Sequence, residues 1–264
     1  MRLVIFASGS SGNCALLRSG ETSILIDAGI SLRRISAALR TQGLTPDDLD
    51  GVLITHEHSD HVAALKTMVK YCAVPICAPH TLAARLTGFL PEAADRLRII
   101  PVGEVFELGE VCVTAFPTPH DTDQSVGYRL CSPEGTLGFC TDTGCVTDDM
   151  LDSLIGCDAA VIEANHDLEM LYRGPYPVQL KRRILSDRGH LSNEECARLA
   201  CTLAGSGTGT LVLGHLSREN NTPARAFDTV RTALDESGFS AVELFVAPVS
   251  GALALEIGRC CVYS

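Results

Sequence analysis

The sequence predicts an α/β fold. Short apolar runs rich in Val, Ile and Leu alternate, from one end of the chain to the other, with segments whose apolar residues recur every three or four positions. No low-complexity linker and no internal repeat of roughly 20–50 residues interrupts that alternation. The run Gly51-Val52-Leu53-Ile54-Thr55 passes directly into His56-Glu57-His58-Ser59-Asp60-His61, so four potential metal ligands fall within six residues where a strand gives way to a helix.

Period-two and continuous apolar runs bounded by turn residues predict strands over residues 3–6, 23–26, 51–55, 75–78, 98–101, 111–116, 126–130, 137–141, 159–163, 210–213, 242–246 and 253–257. The first helix is expected after Ser31, a good N-cap, because Leu32, Ile35 and Leu39 share one face and Gly43 ends the pattern. A second begins near Asp60 and carries Val62, Leu65 and Val69 inward. Further helices are expected over residues 79–86, 147–155, 177–186, 192–203 and 223–237, and Ser192 with Glu195 three positions on forms a capping box.

A chain of 264 residues with 46% hydrophobic content is expected to form one domain across residues 1–264. The opening apolar stretch ends at Ala7 and turns at Ser8-Gly9-Ser10, which is too short for a signal peptide, and no run approaches the ~20 residues of a membrane span. A cytoplasmic protein without membrane contact is therefore expected. The twelve cysteines are scattered through apolar segments such as Val111-Cys112-Val113 and Phe139-Cys140, as buried thiols are. Cys72 and Cys77 stand too isolated for a zinc knuckle, and the adjacency of Cys260 and Cys261 disfavours a simple structural bridge. A net charge of −11 argues against a basic coat for nonspecific nucleic-acid binding, although metal ions bring their own positive charge to a site.

Three of the eight histidines fall in the His56–His61 segment, which disfavours a merely polar surface loop. In a tight loop His56 and His58 point toward one ion while Asp60 and His61, at the helix start, turn toward a second. Imidazole with carboxylate suits zinc, manganese or iron better than calcium or magnesium.

These residues resemble the metallo-β-lactamase superfamily, whose His-x-His-x-Asp-His signature is matched by His56, His58, Asp60 and His61. The match continues in order through Asp27 in Leu25-Ile26-Asp27-Ala28-Gly29, His120 in Pro117-Thr118-Pro119-His120-Asp121, Asp142 in Thr141-Asp142-Thr143-Gly144 and His215 in Leu213-Gly214-His215-Leu216-Ser217. The resemblance implies an αβ/βα four-layer sandwich with two divalent ions, zinc or manganese with iron as a further option. It implies that His56, His58 and His120 hold one ion, that Asp60, His61 and His215 hold the other, and that Asp142 bridges them. Asp27 then braces the metal loop, and Asp60 also orients the attacking water.

Three further segments bear on the substrate. Gly9-Ser10-Ser11-Gly12-Asn13 reads either as a phosphate cradle or as a tight turn between strands. His166 in Glu163-Ala164-Asn165-His166-Asp167 reads as a substrate contact, an added metal ligand or a surface histidine. His190 in Gly189-His190-Leu191-Ser192-Asn193 reads as a phosphate clamp or general acid, or as a helix-start histidine without a catalytic task.

Together with Leu216-Ser217-Arg218-Glu219-Asn220-Asn221, these segments resemble the WalJ/YycJ-like DNA exonucleases, relatives of ribonucleases Z and J. That resemblance implies a DNA substrate touched by Ser10, Ser11, Asn13, Asn165, His166, Ser192 and Asn220, with Asp60 and His190 catalytic. The chain is too short for the inserted nucleic-acid domain of ribonuclease J and lacks an evident long arm of the ribonuclease Z kind, which favours DNA ends over RNA processing. A thioester hydrolase of the glyoxalase-II type is the alternative, and the C-terminal region lacks a convincing set of basic and tyrosine contacts for it. A non-catalytic metal scaffold is disfavoured because all seven ligand positions are filled. The basic stretch Lys181-Arg182-Arg183 through Arg188 and His190 is expected along the DNA backbone, its alternative being a solvated helix face.

Overall fold

Strand β1 (Arg2–Ala7) shows how the core is divided. Leu3 and Ile5 face one side and join a core shared with the second sheet, whereas Val4 and Phe6 face the other and pack beneath helices. The computed structural model describes residues 1–258, so Cys260 and Cys261 lie outside the described residues.

With β2 (Cys14–Ser19), β3 (Thr22–Ile26), β4 (Gly51–Leu53), β5 (Ile76–Pro79), β6 (Leu97–Ile100) and β14 (Leu253–Glu256), β1 forms a seven-stranded sheet in the order β14-β1-β2-β3-β4-β5-β6. The second sheet runs β13-β12-β11-β10-β9-β8-β7, from β7 (Val105–Leu108), β8 (Val111–Pro117), β9 (Val126–Ser132), β10 (Gly135–Cys140), β11 (Ala159–Glu163), β12 (Thr210–Gly214) and β13 (Glu243–Val246). Each sheet is antiparallel in one half and parallel in the other, the parallel runs being β3 to β6 and β10 to β13.

Leu17, Ile24, Ile26 and Leu53 of the first sheet and Val113, Leu130, Leu137 and Val161 of the second fill the layer between them. The outer face of the first sheet is covered by α1 (Leu32–Thr41), α3 (Leu65–Tyr71) and α4 (His80–Phe89), through Ile35, Leu39, Met68 and Leu86. The second is covered by α5 (Asp148–Leu154), α8 (Asn193–Gly205) and α9 (Pro223–Glu236), through Leu154, Leu203 and Val230. The result is the expected αβ/βα sandwich. Among the described residues no helix is long and apolar enough to cross a membrane.

Helix caps follow the sequence closely. Ser31 accepts from the Arg34 amide ahead of α1, and Ser192 with Glu195 closes a capping box on α8. The helix expected from Asp60 onward is instead split into α2 (Ser59–Val62) and α3. The carbonyls of Asp60 and His61 accept from the amides of Asn13 and Ala28, both at 2.8 Å, while the Ala64 amide donates to Ala28 at 2.8 Å. Three groups of the helical ladder are thus diverted to the neighbouring turns, and the helix breaks there.

Strands β2 and β7 and the short α6 (Leu168–Arg173) were not predicted; α7 (Val178–Ile184) falls within the expected 177–186. Cys14, Cys72, Cys77, Cys140, Cys157 and Cys196 are buried free thiols. Cys112 is exposed, contrary to the expectation, because the alternation of β8 sends Val111 and Val113 inward and leaves Cys112 on the opposite face.

Candidate metal centre

The candidate ligands gather where strands end. Asp27 directly follows β3, His56 lies just beyond β4, Asp142 follows β10 by two residues and His215 directly follows β12. Asp27, Asp142 and His215 have φ of 59°, 59° and 55°, and among the described residues they are the non-glycine positions in the left-handed region. That conformation reverses the chain sharply, and Asp and His tolerate it better than bulky residues, at a cost on the order of 1–3 kcal/mol each. Gly29 lets the turn after β3 lie directly on the metal loop, since a Cβ there would stand 1.6 Å from the Asp60 carbonyl oxygen.

His56, His58 and His120 converge: His58 Nδ1 lies 3.1 Å from His56 Nε2 and 3.3 Å from His120 Nε2. Asp60, His61 and His215 form a second group, with Asp60 Oδ2 3.6 Å from the Nε2 atoms of both histidines. Asp142 sits between them. Its Oδ2 is 3.4 Å from His61 Nε2, and its Oδ1 is 3.9 Å from His120 Nε2 and 3.3 Å from His215 Nδ1. All seven predicted ligands are therefore brought together.

The far nitrogen of four of the five rings is held by the protein. His61 Nδ1 meets Asp27 Oδ2 at 2.8 Å, His215 Nδ1 meets Glu163 Oε1 at 2.8 Å, His120 Nδ1 meets the Gly189 carbonyl at 3.1 Å and His56 Nδ1 meets the Thr55 hydroxyl at 3.1 Å. Such outer contacts fix the ring orientation in metal sites. Two inner atoms are left without partners: Asp142 Oδ2 and His215 Nε2 are buried with no hydrogen bond from the protein. Leaving such groups unsatisfied costs about 1–3 kcal/mol each, and a cation satisfies both. The donor set fits a divalent metal.

The electrostatics divide the candidate ligands. Burial and the neighbouring rings of His61, His120 and His58 hold His56 well below the ordinary imidazole range, so it stays neutral as a ligand must, whereas His61 and His215, despite their burial, are raised by the carboxylates beside them and give up a proton on ligating a cation. Burial works against ionisation of Asp60, but contact with His215 and the charges of His61 and His215 outweigh it and keep the carboxyl ionised far below its usual range. Glu163 behaves likewise, its burial outweighed by His190 and His215. For His61 burial opposes protonation, yet Asp27 and Asp142 push the ring up to about 9.

The other predicted residues divide. Ser10, Asn165 and His190 line a cleft of about 200 Å³ beside His215. His190 Nδ1 lies 2.8 Å from the same Glu163 oxygen that holds His215, and the Asn165 amide nitrogen donates to the His215 carbonyl at 2.9 Å. Ser11 is exposed and accepts from Arg218 at 2.7 Å. Asn13, His166, Ser192 and Asn220 are buried and do not reach the cleft. Asn13 accepts the Gly9 amide at 2.8 Å and turns its own amide toward Asp60 and His61, so it braces the metal loop. Ser192 is consumed in capping α8, and the Asn220 carbonyl accepts from the Asp167 amide at 2.9 Å. His166 is 1% exposed with both ring nitrogens unpaired in the protein, and burial lowers it to about 4.

The Gly9–Asn13 segment is a tight turn between β1 and β2, with the amides of Gly9, Gly12 and Asn13 all spent inside the protein. Much of the basic stretch is likewise engaged. Lys181 donates to the carbonyls of Tyr172 and Gly174 at 2.7 and 2.8 Å, Arg188 to those of His120 and Thr122, and Arg183 pairs with Asp121. Two residues were missed from sequence. Glu163 joins His190 to His215, and Asp121 Oδ1 stands 3.6 Å from His58 Nε2 and 3.2 Å from His120 Nε2. Their adjacency to Asn165 and His120 in sequence was the available cue.

Comparison with known proteins agrees with this geometry. The model of the beta-lactamase superfamily domain matches residues 22–216. The chain is 36% identical over 244 residues to exodeoxyribonuclease YycJ of Bacillus anthracis, covering 91% of this chain and 92% of that protein. It is also 36% identical over 236 residues to exodeoxyribonuclease WalJ of Streptococcus pneumoniae, covering 88% of each. Among solved structures, the metallo-β-lactamase fold protein YhfI of Bacillus subtilis superposes with a TM-score of 0.73 at 19% identity, covering 96% of this chain and 99% of that one. With the family model spanning most of its length and both sheets and the histidine–aspartate cluster in place, this chain belongs to the beta-lactamase superfamily and has the metallo-β-lactamase fold.

Proposed function

We propose that this chain is a dimetal phosphodiesterase that hydrolyses DNA from an end. The observation that carries this reading is Asp142, whose two oxygens reach toward both ligand groups beside an open cleft. Its support is the resemblance, over about nine-tenths of the chain, to proteins called exodeoxyribonucleases.

His56, His58 and His120 would hold one ion and Asp60, His61 and His215 the other, with Asp142 near both groups. Zinc or manganese, with iron as a further option for these donors, would supply Lewis-acid charge and lower the pKa of a bound water when present. The protein's own groups then orient the reaction. Asp60 stands at the mouth of its group, partly exposed, where its carboxylate can take a hydrogen bond from the attacking water. Glu163 fixes the His190 ring through Nδ1, which leaves Nε2 to meet a phosphate oxygen or to protonate the leaving oxygen. Asn165 anchors the backbone of His215 beside them. The net charge of −11 repels a long polyanion, so DNA engagement is confined to the neighbourhood of the metals.

The test is a substrate panel. End-labelled single-stranded DNA, duplex DNA, RNA and a glutathione thioester are incubated with zinc- and with manganese-loaded protein. Stepwise release of mononucleotides from DNA is expected. Rapid thioester hydrolysis with DNA left intact would overturn the proposal in favour of the glyoxalase-II type, and preferential attack on RNA in favour of a ribonuclease Z-like enzyme.

A further inference from the structure

The cleft beside the metal centre has a mixed lining. Asn165, His190 and His215, with Arg183 paired to the Asp121 carboxylate, make its polar part, and Tyr176, Leu180 and Ile184 its apolar part, Arg183 rising from the same helix as Leu180 and Ile184. The first suits a phosphate. The second offers a charged group nothing through Tyr176, Leu180 and Ile184 themselves, yet it shares one small cavity with the first, and Leu180 and Ile184, four residues apart, share one face of α7.

The apolar wall is built to stay in place. Tyr176 lies between Pro175 and Pro177, which fix their own φ and bias Tyr176 to an extended backbone. Lys181 ties the carbonyls of Tyr172 and Gly174 to α7. Gly174 is packed so closely that a Cβ would stand 2.7 Å from the Met170 carbonyl oxygen and 2.8 Å from Asn220 Oδ1. The loop presenting the tyrosine is thus pinned on both sides, and little freedom remains to be lost when a ligand binds.

Size limits the occupant. A cavity of about 200 Å³ falls below the ~300–1,000 Å³ of sites that enclose drug-sized ligands, so it accommodates a chain end and not a duplex. A phosphate with a flat, partly apolar group one nucleoside away matches the two walls. Resting on the exonuclease reading above, we infer that the cleft is a nucleobase subsite in which Tyr176 stacks on the terminal base of the DNA against Leu180 and Ile184.

Stacking on an aromatic ring accepts every base, so weak sequence preference is expected, and truncating such a ring typically costs roughly 5- to 150-fold. The test compares a single-stranded oligonucleotide with an intact terminal base against one whose terminal nucleotide is abasic, using metal-loaded wild type, Tyr176→Ala and Tyr176→Phe. The wild type is expected to favour the intact end by that factor in kcat/KM. Tyr176→Ala should lower kcat/KM on the intact end several-fold more than on the abasic end, narrowing the preference, and Tyr176→Phe should retain the preference. Binding gives a readout apart from turnover: thymidine 5′-monophosphate should bind more tightly than deoxyribose 5-phosphate to wild type, by a margin that shrinks in Tyr176→Ala. Equal wild-type rates on the two ends, or equal losses on both in Tyr176→Ala, would overturn the subsite while leaving the exonuclease reading intact. Absence of DNA hydrolysis in the wild type would overturn both.

Discussion

Glu163 Oε1 stands 2.8 Å from His215 Nδ1 at the buried end of β11, and the same oxygen stands 2.8 Å from His190 Nδ1. One carboxylate therefore orients a candidate metal ligand and the candidate acid beside it. Its other oxygen accepts the amides of Thr143 and Leu191 at 3.0 and 3.2 Å, which ties the turn carrying Asp142 to the loop carrying His190. Glu163→Gln preserves volume but loses the charge that aligns both rings. Metal affinity is expected to fall by roughly 10–100-fold, the usual effect of losing an outer partner, with activity falling at least as far. Calorimetric titration with zinc checks the first expectation, and affinity within twofold of wild type would contradict it.

Close approach of two turns makes a second prediction. Gly29→Ala drives a Cβ into the Asp60 carbonyl, a clash with backbone that no side-chain rotation relieves. Overpacking typically costs ~1–3 kcal/mol, and here the upper end or more is expected, or a Tm lower by ~6 °C or more. Gly88→Ala in α4 is the control. A Cβ there meets nothing within 4 Å, so the gain in helix propensity should raise stability by about 0.5–1 kcal/mol. Thermal melts of the two variants beside wild type check the opposite signs.

His56, His58, Asp60 and His61 were legible from their clustering where an apolar strand ends, whereas His120, Asp142 and His215 were assigned through the resemblance to the metallo-β-lactamase superfamily, their places just after predicted strands supporting the match. Glu163 and Asp121 were not legible as site residues, since Glu163 acts on partners 27 and 52 residues away and Asp121 reaches His58 from another turn. Asn13, Ser192 and Asn220 misled for a related reason: a polar residue next to a site in sequence can satisfy backbone groups instead of substrate, and pattern does not reveal which way it turns. Strand β2, Cys-Ala-Leu-Leu-Arg-Ser, lacks the β-branched residues that mark its neighbours. The diversion of the Asp60 and His61 carbonyls, which split the expected helix, is a tertiary effect with no local cue.

Burial of His166 makes stability depend on acid. The folded protein holds this ring at about 4 because burial penalises its charged form, against about 6.5 in an unfolded chain. Between these values the unfolded state binds more protons, so stability rises with pH, and it is lost as pH falls from about 6.5 toward 4. In His166→Gln this contribution disappears. Denaturant unfolding of metal-loaded protein at pH 7, 6, 5 and 4 should show a shallower acid-side decline in the variant than in wild type. Parallel declines would show that the folded ring is not held below its ordinary range.

The most direct measurement is the rate of mononucleotide release from end-labelled single-stranded DNA as manganese or zinc is titrated into metal-free protein, with bound ions per chain counted in parallel. Release is expected to climb to a plateau at two ions per chain in wild type and to be lost in Asp142→Ala, which removes the carboxylate between the two ligand groups. Full activity at one ion per chain, or no release of mononucleotides with both ions bound, would contradict the dimetal exonuclease reading.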